Sequence, residues 1–242
     1  MIIVEIEFEE AKIEAIVAAF LTLPTPLRPT HFGEDEEGKR SRRRVDDSAA
    51  FDSFFIGRTE GFFLFGPSLV CMAMLGREKI LTLHCSINTE PELARDFLVH
   101  LAKAAAPRFA FACEPEERDR RNRLVTKLHL LDGPTTIETW VGRNTRKYLP
   151  GLYWLTLIPS TLLEEHAVAF SALESCAVET VMLQESLYLF RFYERPESWR
   201  SATCVSELLK SVSGIFDIKR IRPLIEGARS FAEIQGTLAG WR

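Results

Sequence analysis

Residues 61–86 read GFFLFGPSLVCMAMLGREKILTLHCS, and this stretch decides the fold. Three apolar runs, Gly61–Phe65, Leu69–Leu75 and Lys79–Ser86, are separated by Gly66-Pro67 and by Gly76, residues that punctuate turns. So little chain between runs permits antiparallel pairing only, because a parallel crossover needs roughly a dozen residues or more. An antiparallel meander is predicted.

Upstream, Ile2, Val4, Ile6 and Phe8 alternate with Ile3, Glu5, Glu7 and Glu9. Period two predicts a strand with one apolar and one mostly acidic face. Ile13, Ile16, Val17, Phe20 and Leu21 fall on one helical stripe, which Pro24 and Pro26 stop. Residues 24–47 then hold an acidic run, Glu34 to Glu37, and a basic run, Lys39 to Arg44. Such a segment has little to bury, and a mobile charged loop is predicted. Ala49–Ile56 reads as a short helix.

Downstream, Thr89-Glu90-Pro91-Glu92 fits a capping box for a helix with Leu93, Phe97, Leu98 and Leu101 on its apolar side, ended by Pro107. Phe109–Cys113 reads as a strand. CEPEERDRRNR, residues 113–123, balances its charges and reads as a solvated loop. Thr136–Val141 alternates as a strand does. Leu149–Ile158 is apolar on both faces, like a central, doubly covered strand. Ser160 is placed to N-cap a helix ending near His166, and another starts near Ser171. Val178–Leu183 and Ser186–Tyr193 form a hairpin through Gln184-Glu185. Val205, Leu208, Leu209 and Val212 make a helical stripe with Gly214 at its C′ position. The tail from Asp217 is helical, with breaks at Pro223 and Gly227.

Strands thus come in runs with helices between the runs. The fold class is α+β, with mostly antiparallel sheet and flanking helices. The 242 residues suit one domain, or two subdomains, 1–107 and 108–242, as similar α/β halves packed together. Apolar residues at 46% and charged residues at 26% exclude disorder, collagen and coiled coil as whole-chain descriptions. A net charge of −4 supplies no global pull toward DNA or anionic lipid. The acidic start is unlike a secretory signal, and no apolar run approaches the roughly 20 residues of a membrane helix. Five widely spaced cysteines suit buried free thiols rather than a disulfide framework. A cytoplasmic protein with no membrane association is expected.

Signatures of chemistry are missing. The sequence contains no G-x-S-x-G, C-x-x-C, H-E-x-x-H, H-x-H, G-x-x-x-x-G-K or G-x-G-x-x-G. No metal ligand set, cofactor or catalytic group is singled out. His84 and Cys85 are neighbours on a strand and point to opposite faces, so they do not pair locally. The basic runs at 40–44 and 118–123 lie beside acidic runs that cancel them within a Debye length of about 8 Å, which disfavours nucleic acid.

The most unusual stretch is 139–159, TWVGRNTRKYLPGLYWLTLIP. It gathers Trp140, Tyr148, Tyr153 and Trp154 with Arg143, Arg146 and Lys147, the residue types of binding hot spots. The competing reading makes Tyr153 and Trp154 core residues of a central strand.

Within this stretch, KYLPGLYWLTLIP (147–159) resembles the Pro-Gly-aromatic-Trp strand of bacterial immunity proteins of polymorphic-toxin and type VI secretion systems. GFFLFG (61–66) and FRFYERPESW (190–199) are similar in style and order. The resemblance implies an α+β cytoplasmic protein that binds and blocks a cognate toxin effector, without catalysis or cofactor. Two alternatives stand beside it. One is an enzyme with scattered acid/base residues such as His84, His129, Glu138 and Arg143 brought together by folding; a deep pocket with two or more of these side chains within hydrogen-bond reach would favour it, and a shallow surface would not. The other is a structural or adaptor component of a phage-like or secretion assembly. A homodimer stays open.

Overall fold

A computed structural model describes residues 1–9, 13–37, 43–76, 79–130, 133–228 and 230–241. The chain order is β1 (Ile2–Phe8), α1 (Ile13–Leu21), β2 (His31–Gly33), α2 (Ser48–Phe55), β3 (Phe62–Phe65), β4 (Leu69–Leu75), β5 (Leu81–Ile87) and α3 (Pro91–Ala104). Then come β6 (Phe109–Cys113), α4 (Pro115–Asn122), β7 (Arg123–Leu130), β8 (Gly133–Trp140), β9 (Leu155–Pro159), α5 (Ser160–Glu165) and α6 (Phe170–Cys176). The last elements are β10 (Glu179–Gln184), β11 (Leu187–Arg191), a 3₁₀ turn at Pro196–Ser201, α7 (Thr203–Ser211), α8 (Ile218–Glu226) and α9 (Phe231–Trp241).

Nine strands form one antiparallel sheet in the order β10-β11-β9-β6-β1-β5-β4-β3-β2. The fold is α+β, as the strand runs predict, and β3–β4–β5 is the meander. The sheet does not stop between the two proposed halves. β1 pairs with β5 on one side and β6 on the other, so strands from before and after residue 107 lie in one continuous sheet.

Alternation along β1 sorts the two faces. Val4, Ile6 and Phe8 sit opposite Cys85, Leu83 and Leu81 and join a core with Ile16, Phe20, Phe97 and Leu101 of α1 and α3. Phe20 and Phe97 meet edge to face at 5.7 Å. Each such side chain contributes about 1.5–3 kcal/mol by leaving water. The other face carries Glu5 and Glu7, opposite His84 and Thr82 of β5 and Phe111 and Phe109 of β6. A second, smaller core fills the space between the β7–β8 hairpin and α8–α9, with Leu124, Ile137, Ile221, Ile225, Ile234 and Leu238.

Several expectations are corrected. The charged stretch 113–123 is not a solvated loop: it contains α4, whose Glu117 and Asn122 are buried. A helix polar all round holds together here through i,i+4 pairs, Glu117 with Arg121 and Asp119 with Arg123. Residues 24–47 include edge strand β2, pinned by Phe32, which is fully buried among Phe51, Phe54 and Phe55. Residues 38–42 of that predicted loop lie outside the described residues. The capping box does not form: Glu90 is the N-cap of α3 and no side chain caps it. Nor does Ser160 cap α5, whose N-cap is Pro159. Leu149–Trp154 is buried but irregular, and the ladder starts only at Leu155, after Pro150-Gly151. Strand β7 escapes the sequence reading, although Leu124, Thr126, Leu128 and Leu130 alternate there with Arg123, Val125, Lys127 and His129. α7 ends in an extended Val212, so Gly214 is not its C′ residue. Gly214 instead lets the backbone of His166 approach; a Cβ there would lie 2.0 Å from that carbonyl oxygen.

Candidate functional site

The acidic face of β1 does not meet water freely. α4, the end of β8 and the segment after it close over it and leave a pocket of about 240 Å³. Glu5 and Glu7 form its floor with His84 and Thr82 of β5 and Phe109 and Phe111 of β6. Arg118 of α4, Trp140 of β8, Arg143 and Thr145 form its walls.

Glu5 is only 6% exposed. Its Oε1 lies 2.5 Å from Arg118 Nε and 3.4 Å from His84 Nδ1, and its Oε2 accepts from Arg143 Nη2 at 2.5 Å. Burial alone pushes this carboxyl up; the contact with His84 and the charges of Arg143 and Arg118 outweigh it and hold the group below the usual carboxylate range. Glu7 goes the other way. Burial raises it above its ordinary value, although the Thr145 hydroxyl donates to it at 2.5 Å and Arg108 Nε stands 4.0 Å away. Two carboxyls on one strand face are therefore pushed in opposite directions.

The cations are stacked as well as paired. The Arg118 guanidinium lies 4.3 Å from the Trp140 ring centroid and that of Arg143 lies 5.8 Å from it. Among the described residues, Glu5 is the ion-pair partner of both, through Nε of Arg118 and one terminal nitrogen of Arg143. Each planar fork has five N–H donors, so most remain for a ligand. Two guanidinium groups face one ionised carboxylate, and this arrangement suits an anion.

A supporting layer fixes these groups. Asn122 Nδ2 donates to the carbonyls of Val141 (3.1 Å) and Pro150 (3.3 Å), tying α4 to both ends of the covering segment. Tyr153 donates its hydroxyl to Asn122 Oδ1 and stacks on Phe111 at 3.9 Å. Gly142, at φ +72°, turns the chain toward Arg143; a Cβ there would lie 2.2 Å from the Phe216 ring. Deeper, fully buried Glu117 accepts from Arg121 Nε at 2.8 Å and from the Tyr193 hydroxyl. Burial raises the Glu117 carboxyl despite Arg121, and it raises the Tyr193 phenol, which Glu117 pushes up further.

Trp140 and Arg143, named from sequence, do sit in this site. Arg146 is exposed, 4.0 Å from Glu9. Lys147 donates from Nζ to the Ala239 and Gly240 carbonyls at the end of α9. Tyr148, Tyr153 and Trp154 are corrected: they are 5%, 1% and 0% exposed and offer no contact surface. They fill the space between the sheet and its coverings, and Tyr148 donates to the Trp241 carbonyl at 2.7 Å. Of the alternative set, His84 and Arg143 come within 3.3 Å. Glu138 is exposed on the hairpin, paired with Arg123 at 2.5 Å, and the His129 side chain lies outside the described residues. Glu5 and Arg118 were missed; the trace of Glu5 was the acidic face of a strand otherwise apolar.

Among the described residues no group of three or more His, Cys, Asp or Glu is placed to hold a metal ion, and no helix is long and apolar enough to cross a membrane. No family model matches the sequence, and no curated protein matches it.

Proposed function

We propose that this chain is a non-enzymatic binding protein whose pocket receives an acidic side chain of a protein partner. The observation that carries the reading is the pair Arg118 and Arg143, braced by Glu5 and Trp140 with N–H groups to spare. The surroundings support a protein rather than a small molecule. The sheet face beside the pocket, over β3 and β4, leaves Val70 40% and Met74 42% exposed, with Phe63 and Met72 half-buried next to them. Arg, Trp, Met and Phe around a recess are the composition of an interface core. The KYLPGLYWLTLIP resemblance supplies the setting: an immunity protein that occludes a cognate toxin effector.

One observation favours a second reading. His84 and Arg143 converge, and Glu5 and Glu7 are pushed apart in protonation, the pattern of an acid–base pair in an enzyme. Glu5, however, has both oxygens engaged by cations, which suits holding better than proton transfer.

The test is co-expression with the products of neighbouring reading frames. A toxic product should be neutralised and should co-purify. Arg143→Glu and Trp140→Ala, with melting temperature checked, should abolish both, since a hot-spot truncation costs about 2 kcal/mol or more. Full protection by both folded variants would remove this pocket from the interface.

A further inference from the structure

A second cavity, of about 370 Å³, lies between α4, α7 and α8 and shares no lining residue with the sheet pocket. Its walls carry Arg120, Arg121, Arg200, Lys219 and Arg222 against a single acid, Asp217. Two of the cations are already spent: Arg121 on Glu117 at 2.8 Å, and Arg200 on Glu116. Asp217 caps α8, its Oδ1 accepting from the Lys219 backbone N–H at 3.0 Å, and its negative charge stays at the groove wall. Arg120, Lys219 and Arg222 remain, with no ion pair among the described residues.

The framework around these three is fixed. Arg220 donates to the carbonyls of Leu209 (2.8 Å), Val212 (2.9 Å), Ser213 (3.0 Å) and Ile215 (3.2 Å). It therefore locks the corner between α7 and α8. On the opposite wall, Trp199 donates from Nε1 to Glu114 at 3.1 Å, which ties the 3₁₀ turn to the start of α4. Five cations face one carboxylate around this concavity and repel one another, although Glu207 also feels the charge of Lys219, and Arg120 and Arg222 border a neighbouring recess with Glu116 and Asp119. An anion with several oxygens relieves that repulsion. A carboxylate offers two oxygens and one charge, while a phosphate or diphosphate offers more of both, enough to bridge separate cations. The volume fits a small organic ligand, whose pockets start at roughly 300 Å³. The cations line a recess rather than a stripe, which suits a compact anion better than a nucleic-acid strand.

We propose that this groove is a binding site for a phosphate-bearing small molecule, with Arg120, Lys219 and Arg222 as its anion ligands. It stands independently of the partner reading given to the sheet pocket.

The test is titration calorimetry on the full chain with inorganic pyrophosphate, beside arms with inorganic phosphate and a nucleoside diphosphate. One-site binding of pyrophosphate is expected, weakening as salt rises, because the ligating groups are exposed. The charge reversal Lys219→Glu/Arg222→Glu should weaken it roughly tenfold or more, and the milder Arg120→Gln by less. Arg143→Ala, in the other pocket, should leave it unchanged. Tighter binding of the nucleoside diphosphate than of pyrophosphate would mean that an organic part also lodges in the groove, and would support the proposal. Absence of pyrophosphate binding, equal binding in the folded charge-reversed protein, or loss in Arg143→Ala would overturn it. So would binding of single-stranded RNA without pyrophosphate.

Discussion

Glu5 of β1 and Glu117 of α4 are both taken out of water, and the protein treats them differently. Glu5 has two guanidinium groups and an imidazole around it and stays below the ordinary carboxylate range. Glu117 has one guanidinium and two tyrosines nearby, and burial wins. Glu5 borders a cavity; Glu117 borders packed rings. Charge is thus concentrated where a ligand can reach it, and the other carboxylate serves the attachment of α4 to β11 and its following turn.

The covering of the sheet repeats this contrast. Over β9 and β11, the face that carries Glu5 elsewhere presents Thr156, Tyr188 and Phe190, and Phe170 of α6 packs on the two rings at 4.8 and 5.6 Å. Over β3 and β4 no comparable apolar plug arrives among the described residues, and Met74 and Val70 are exposed. One side of a single sheet is core at one end and surface at the other.

Five variants probe the contrast. Trp154→Ala, in the plugged end, should cost about 3–5 kcal/mol in denaturant melts. A loss near that of an exposed residue would move Trp154 back to the contact surface. Glu117→Ala strands the buried charge of Arg121 and should cost a similar ~3–5 kcal/mol; a cost under about 1 kcal/mol would mean that water reaches that pair. Glu5→Gln and Glu117→Gln should act oppositely on stability against pH. Glu5 has a folded value below the unfolded 4.5, so its contribution is full above 4.5 and is lost as pH falls through the folded value. Glu117 has a folded value above 4.5, so it costs stability as pH climbs from 4.5 through that value. Parallel pH profiles for the two variants would break the comparison. Trp140→Ala should change stability least, by about 0.5–1 kcal/mol, the size of a partly exposed cation–π contact. A loss like that of Trp154 would make Trp140 a core residue too.

Much of the fold was legible because it rests on local pattern. The alternation of Ile2 to Glu9 announced both faces of β1, and the Gly-Pro and Gly breaks at 66–67 and 76 announced the meander. Two things were not legible. α4 reads as a solvated run because inward and outward charges look alike in one dimension; only the long-range partners Glu5 and Tyr193 reveal which Arg and Glu are inside. Likewise, the acidic face of β1 looks solvent-facing until the segment 140–153 covers it. Trp154 and Tyr153 illustrate the limit: hot-spot aromatics and core aromatics share a sequence, and burial separates them.

β1 stands at the middle of the sheet, with four strands on each side, yet it is synthesised before either of its neighbours. The ribosome must release β5 and then β6 before the seam can close. Folding is therefore committed late and through distant pairings, a topology that slows the search. An excision of residues 2–8 would not trim an edge but leave two four-stranded pieces with raw hydrogen-bonding borders facing each other across the gap.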